Sequence, residues 1–511
     1  MKNILQYFEL TVRLHPNKAA FFDSGRHSTF SETMTHAKSI ATALLPFGRQ
    51  RPVAVLIDKS CNCIDCMLGA LYANFFYTVI DVKSPEERIG SILNTLQNPV
   101  IVADANTLDL AKKYEHLYPV LSYEDLVDTS VDESALLTRR EEMVDLDIAY
   151  VLFTSGSTGR PKGTVIQHRS LLSYVDWVTA EFGFDENTVF GSQTPLYFSM
   201  SVTDFYSTIK CGCAYHMIPR SLFSFPVSLV QYLNENKVNT IYWVPTALSI
   251  LSTWKVFDVV KPSSLRTVLF AGEEMPSRQL NYWMNSLENV KFANLFGPTE
   301  ATDICSFYVI DRPFSDSERI PIGRHCDNCN VIVIKEDGTE ASVGEEGELY
   351  IRSSFVASGY YDDPEKTGAA FIQNPLNRLY PEIVYKSGDL VKYNEAGELM
   401  FLSRVDHQIK RSGYRIELGE IEAAANSVSG VKGCACVYDK EQQRIVLFYE
   451  GKKSDRDRVI EQVKAQVPVY MFPDMFIRIK ELPKNANGKI DRIRLLNIYK
   501  ESGGSDDGKI D

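Results

Sequence analysis

Ten residues, Thr154-Ser-Gly-Ser-Thr-Gly-Arg-Pro-Lys-Gly163, gather groups that bind phosphate. Three glycines let the backbone turn its N–H groups inward as an anion nest. Thr154, Ser155, Ser157 and Thr158 add hydroxyl donors, and Lys162 adds positive charge. The run contains no acid and directly follows an apolar, strand-like stretch at 149–153. Such a loop suits a triphosphate. It is not a Walker A loop, because Pro161 stands where that motif needs Gly and Gly163 where it needs Ser or Thr. The bland alternative is a flexible Gly/Ser surface loop. Far along the chain, Asn487-Gly488 forms a tight-turn dipeptide that projects Lys489 outward.

A second chemistry suggested by spacing is zinc. Cys63/Cys66 and Cys326/Cys329 both have CxxC spacing. The two pairs are far apart, and the first lies in a mostly apolar helical stretch. Free, reduced, mostly buried thiols are the better expectation for the ten cysteines.

The loop at 154–163 resembles the signature loop of the adenylate-forming superfamily, which holds acyl-CoA synthetases, luciferases and nonribosomal peptide synthetase adenylation domains. Further runs match in that superfamily's order: Asn294-Leu-Phe-Gly-Pro-Thr-Glu300, Tyr385-Lys-Ser-Gly-Asp-Leu390, Ser403-Arg-Val-Asp-His-Gln-Ile-Lys410, Val467-Pro-Val-Tyr-Met-Phe-Pro473 and Asn487-Gly-Lys-Ile-Asp491. Within it, Leu269-Phe-Ala-Gly-Glu-Glu274, Gly297-Pro-Thr-Glu-Ala-Thr302, Lys335-Glu-Asp-Gly-Thr339 and Gly413-Tyr-Arg-Ile-Glu417 are most similar to stand-alone D-alanine–carrier protein ligases.

The resemblance implies a two-step ligase using ATP and Mg²⁺. A small carboxylic acid attacks the α-phosphate, giving an acyl-adenylate and pyrophosphate, and the phosphopantetheine thiol of a carrier protein then takes the acyl group. The first step develops charge on phosphate oxygens and so needs cations and fixed donors rather than a protein nucleophile. By resemblance, Lys489 bridges the substrate carboxylate and the phosphate. Glu300 holds Mg²⁺, Thr299 donates to phosphate, and the loop residues Thr154 to Gly159 with Lys162 cradle the phosphates. Gly272, Glu273 and Glu274 line the adenine site with Asn294, Leu295, Phe296 and Gly297. Phe296 replaces the family's Tyr and keeps a stacking face. Asp389, helped by Arg404, accepts from the ribose hydroxyls. Asp406 matches the hinge, where rotation exchanges the face that carries Lys489 for another.

The acyl pocket departs from the pattern. Carried over one position at a time, it consists of Phe198, Ser199, Met200, Thr203, Tyr242, Leu269, Ala271, Leu295, Asp303 and Ile304. Amino-acid-activating relatives carry Phe-Asp where this chain has Phe198-Ser199, and that Asp pairs with the α-ammonium. A serine cannot neutralise a buried ammonium. Asp303 supplies a carboxylate from another wall, so the expected acid is either one with a distal amine or a hydroxy or aryl acid. No carrier attachment motif follows, so the carrier is expected to act in trans. Two rivals stay open: an acid–CoA ligase, and a non-catalytic nucleotide- or metabolite-binding module.

The elements that must position these groups read as α/β. Apolar runs at 52–57, 76–80 and 99–103 predict buried strands, with helices around 33–45, 61–74 and 86–96 between them, which points to parallel sheets covered by helices. Charged, poorly periodic residues 119–143 read as a connecting loop. From about 320 to 400 short strands and Asp-Gly turns predict a β-rich lobe, followed from Asp406 by a small α+β region and a frayed Gly503–Gly508 tail. The expected architecture is therefore a large N-terminal domain, 1–405, of two α/β lobes plus a β-rich lobe, and a small mobile C-terminal domain, 406–511.

Composition is compatible. The chain has 511 residues, 44% of them apolar and 23% charged, with mean hydropathy −0.16, which excludes bulk disorder. The net charge of −12 argues against nucleic acid or an anionic membrane as partner. From Asp406 onward, 19 Lys+Arg stand against 17 Asp+Glu, while residues 1–405 carry 35 against 49, so the last hundred residues form an electrostatic unit of their own. With no long apolar run and no leader-like N-terminus, a cytoplasmic location is expected.

Overall fold

Continuous apolar runs separated by amphipathic ones build the first region, as parallel sheets require. A computed structural model of the chain describes residues 1–156, 160–316, 318–406, 408–484 and 490–501. The predicted strands appear as Pro52–Leu56, Phe76–Val79 and Val100–Ala103, and the predicted helices as Phe30–Leu44, Cys61–Tyr72 and Glu86–Thr95. Thr29 starts the first of these helices with a reciprocal capping box to Glu32.

Residues 119–143 are not a loop. They form strand Val120–Ser122 and helices Tyr123–Val127 and Glu133–Glu142. The last helix buries only Leu136, so it has no apolar stripe to reveal it. It is started by Asp132, whose carboxylate accepts from the Ala135 N–H, and is tied down by Lys38–Glu133 and Arg140–Glu9 ion pairs.

The described residues divide into two compact units. The larger comprises 1–82, 96–152 and 163–405. Its sheets include a six-stranded one in the order Val120–Ser122, Val100–Ala103, Pro52–Leu56, Phe76–Val79, Ile148–Thr154, Lys162–Gln167. A nine-stranded sheet has a parallel centre, from Lys291–Phe296 through Thr267–Phe270, Thr240–Trp243, Val189–Ser192 and Ala214–Met217 to Ala19–Phe22, with antiparallel strands at both edges. A five-stranded antiparallel sheet of Cys329–Ile334, Glu346–Ser353, Ile383–Tyr393, Phe371–Gln373 and Leu399–Arg404 is the β-rich lobe.

The smaller unit comprises 406–511 together with 83–95 and 153–162. It holds a three-stranded sheet, Gly433–Asp439, Arg444–Glu450 and Met475–Ile479, and helices Leu418–Asn426, Arg456–Gln466 and Arg492–Glu501. The two short stretches join it through specific contacts: Arg88 and Glu420, both buried, form an ion pair. The Gly503–Gly508 tail lies outside the described residues.

Candidate functional site

In the larger unit, the run after strand Lys291–Phe296 doubles back tightly. A Cβ on Gly297 would stand 2.4 Å from the Asp303 carbonyl oxygen, so only glycine fits that approach. Thr299–Ala301 form one helical turn. Thr302 then takes φ 65°, a left-handed value that costs a β-branched residue about 1–3 kcal/mol. Its hydroxyl donates to the Phe355 carbonyl at 2.7 Å, which holds the turn. The strain aims two carboxyls, Glu300 and Asp303, from one short segment.

Glu300 is fully buried. Its carboxylate accepts from the Tyr360 hydroxyl at 2.7 Å, and its carbonyl from the Ala357 N–H. The half-buried Thr299 hydroxyl lies 3.2 Å from that of Ser199, which joins this turn to the Phe198–Met200 segment. The oxygen donors of Thr299 and Glu300 are hard, as Mg²⁺ prefers. Among the described residues no cluster of three or more His, Cys, Asp or Glu could hold a metal, so any ion there would take most of its ligands from elsewhere. All ten cysteines are free thiols.

Asp389 and Arg404 face each other across paired strands, 2.9 Å apart. The Arg404 guanidinium also donates to the Ser387 carbonyl, and the Ser387 hydroxyl accepts from the Asp389 N–H. A buried carboxylate is thereby fixed in one orientation. Asn294 donates to the Pro321 carbonyl, and the Phe296 ring lies 5.6 Å from Phe401. Glu273 and Glu274 have other partners: Glu273 accepts from the Thr246 N–H and hydroxyl at the start of helix Pro245–Thr253, and Glu274 pairs with Arg319. Gly272, at φ 91°, makes the turn between them and strand Thr267–Phe270.

Three of the residues expected in the acyl pocket meet. Thr203 from helix Ser201–Cys211, Tyr242 from strand Thr240–Trp243, and Asp303 meet at 2.8 and 3.1 Å. Met200, Leu269, Ala271, Leu295 and Ile304 are buried, and Phe198 packs on Tyr197. Sequence reasoning missed Tyr174, whose hydroxyl also donates to Asp303 at 3.0 Å, and Tyr360. Neither stands in a motif; only folding brings them in. Burial pushes the Asp303 carboxyl up to about 7, against the pull of the three hydroxyls, and the charge of Asp204 adds to the rise.

The described part of the phosphate loop belongs to the smaller unit. Ser155 donates to the Arg415 carbonyl at 2.8 Å and accepts from the Glu417 N–H. The Gly156 N–H donates to the Glu420 carboxylate at 3.3 Å, so this amide already faces an anion. A Cβ on Gly156 would strike the Arg160 carbonyl at 2.0 Å. Lys162 opens strand Lys162–Gln167. Asp406 accepts from the Gln408 N–H at 3.2 Å. Ser157, Thr158, Gly159 and Lys489 lie outside the described residues.

The AMP-binding enzyme family matches residues 8–361, and the AMP-binding enzyme C-terminal domain matches 420–489. The D-alanine–D-alanyl carrier protein ligase of Lacticaseibacillus rhamnosus is 30% identical over 97% of this chain and 98% of its own. Tyrocidine synthase 1 of Brevibacillus parabrevis is 29% identical over 96% of this chain but 44% of its own. The chain spans less than half the length of the peptide synthases it matches. Among solved structures, the Vibrio cholerae adenylation domain AlmE, in complex with glycyl-adenosine-5'-phosphate, superposes with TM-score 0.83 over 98% of both chains at 21% identity, a likeness of fold. No described helix is long and apolar enough to cross a membrane.

Proposed function

The chain belongs to the AMP-binding enzymes, and from that premise we propose that it is an ATP-dependent ligase. It activates a small carboxylic acid as an acyl-adenylate, releases pyrophosphate, and passes the acyl group to the phosphopantetheine thiol of a separate carrier protein. The domains are 1–405, which binds ATP and the acid, and 406–511, which carries Lys489.

The observation that carries the reading is the pair of buried, pre-oriented carboxylates in the larger unit. Glu300 is held by Tyr360 and Asp389 by Arg404. Both acids are buried with partners that offset the cost of their charge, and both keep acceptor oxygens in a fixed orientation. Asp389 accepts from the ribose hydroxyls, which are neutral donors. Glu300 would hold Mg²⁺, which when bound would screen the negative charge of the phosphates, and Thr299 would donate to a phosphate oxygen. Lys489 supplies a mobile point charge that brings carboxylate and α-phosphate together, and Asp406 is the hinge. The loop at 154–162 offers amides and hydroxyls to phosphate oxygens, a role supported by the anion that Gly156 already faces.

The test is acid-dependent exchange of pyrophosphate into ATP over a panel of α-, β- and γ-amino, hydroxy and aryl acids, followed by acyl transfer to a phosphopantetheinylated carrier or to coenzyme A. Exchange with at least one acid and preference for the carrier is the expected result. Transfer to coenzyme A alone makes the chain an acid–CoA ligase, and absence of exchange with every acid makes it a binding module.

A further inference from the structure

Of the two buried carboxyls Asp204 and Asp303, only the first faces a cation among the described residues. Asp204, 1% exposed on helix Ser201–Cys211, has Lys59 as its opposite charge. Burial lowers the Lys59 ammonium and raises the Asp204 carboxyl, while their mutual attraction opposes both shifts. Lys59 is anchored to the Ser192 carbonyl and hydroxyl at 3.0 and 2.9 Å. Asp303, 2% exposed, has no such partner: among the described residues it takes part in no ion pair.

What surrounds Asp303 instead is hydroxyl. Tyr174, Thr203 and Tyr242 all approach the same oxygen, Oδ2, at 3.0, 2.8 and 3.1 Å, and Tyr174 and Thr203 stand 2.6 Å from each other. Four short contacts share three hydroxyl hydrogens. A proton on Asp303 supplies the fourth, so the ring is complete when the carboxyl is neutral and one hydrogen short when it is ionised. Nearby, Tyr150 is fully buried, its hydroxyl has no hydrogen-bond partner, and the Asp303 charge bears on it. Ser199 offers a half-buried hydroxyl that is engaged with Thr299. A neutral substrate would be served by the three hydroxyls and would need no buried carboxyl.

We propose that the pocket selects an acid bearing a primary ammonium on a carbon other than the α-carbon, and that Asp303 receives this ammonium, with the Tyr150 hydroxyl as a second acceptor. The proposal rests on the adenylating reading above. On binding, the Asp303 O–H bond breaks, its proton leaves to solvent, and the carboxylate pairs with the incoming ammonium, so the site is neutral before and after. Tyr150, Tyr174, Tyr242 and Asp204 are the titratable groups that face it.

Pyrophosphate exchange with β-alanine, 4-aminobutyrate and 5-aminopentanoate, against alanine, butyrate and 4-hydroxybutyrate, tests this. At least one of the first three should exceed its neutral counterpart by about 10²-fold or more in kcat/KM. Its KM should fall as pH rises from 6 to 8. Asp303→Asn should shrink the ratio about 10²-fold, and Tyr150→Phe, which keeps the ring's volume, should shrink it by a smaller factor. A wild-type preference for alanine or for a neutral acid, with a ratio indifferent to Asp303→Asn, overturns the proposal and leaves adenylation standing. If no acid supports exchange, the adenylating reading fails, and calorimetry of the wild type with the same acids decides the pocket by itself. Titration at pH 6 in two buffers of different ionisation enthalpy should show close to one proton released per bound 4-aminobutyrate and none per butyrate. Absence of that release overturns the assignment of Asp303, as does a flat KM profile if Asp303→Asn does not fold.

Discussion

Asp389 and Asp303 are both buried carboxyls of the larger unit, 3% and 2% exposed, but their surroundings differ in kind. Asp389 has a guanidinium at 2.9 Å; Asp303 has three hydroxyls and, among the described residues, no cation. A paired carboxylate keeps its charge without a ligand and still accepts hydrogen bonds, which suits a neutral diol common to every reaction cycle. A carboxyl fed only by hydroxyls is costly to ionise and becomes worth ionising when a cation arrives. In the proposed reading the first arrangement serves an invariant substrate, and the second discriminates between substrates.

The largest expected effect tests whether the ATP side is indifferent to the acid. Lys489→Ala should lower adenylation by about 10³-fold, since it removes charge stabilisation made in the transition state, and by the same factor for every acid that reacts. Transfer from a supplied acyl-adenylate should survive. A factor that depends on the acid would erase the division between the two regions.

Next in size, Asp389→Asn should raise the KM for ATP about tenfold for every acid and destabilise the protein, because the half-buried Arg404 loses the carboxylate that stands 2.9 Å away. Steady-state kinetics with two unlike acids, together with urea denaturation, measure both. A stability loss without a KM change would make the pair structural and remove Asp389 from the ATP site.

The two regions also differ in how far the sequence discloses them. The residues proposed for the ATP side stand in short motifs, so the resemblance of those motifs to a family suffices to single out Glu300, Asp389 and the loop at 154–163. The Asp303 cluster is assembled from positions far apart: Tyr174 lies 129 residues from Asp303 and Thr203 100. A tyrosine inside an amphipathic helix reads as core, and nothing local distinguishes Tyr174 or Tyr150 from the other buried rings. The same physics explains the fold. Parallel strands such as Pro52–Leu56 are buried on both faces and announce themselves as apolar runs. Helix Glu133–Glu142, which buries one residue and is held by ion pairs, leaves no periodic trace. Likewise the grouping of 83–95 with the smaller unit follows from contacts such as Arg88–Glu420, 332 residues apart.

The smallest effect is one of stability, and its sign separates the two carboxyls. The folded-state pKa of Asp303, about 7, stands above the ordinary carboxyl value of about 3.9 that the unfolded chain has. Between these values the folded chain keeps a proton that the unfolded chain has given up. The stability this group contributes is therefore fully present below about pH 4 and is lost as pH rises through about 7. Asp303→Asn has no such titration. Relative to the wild type, the variant should gain no stability at pH 5 and should shift in its own favour by about 2 kcal/mol by pH 8, read from urea midpoints at matched ionic strength. Asp389→Asn should be destabilising at both pH values. If the Asp303→Asn difference stays constant with pH, Asp303 is already paired with a cation in the empty enzyme. The two carboxyls would then be the same device, and the pocket would have no charge left to offer a substrate.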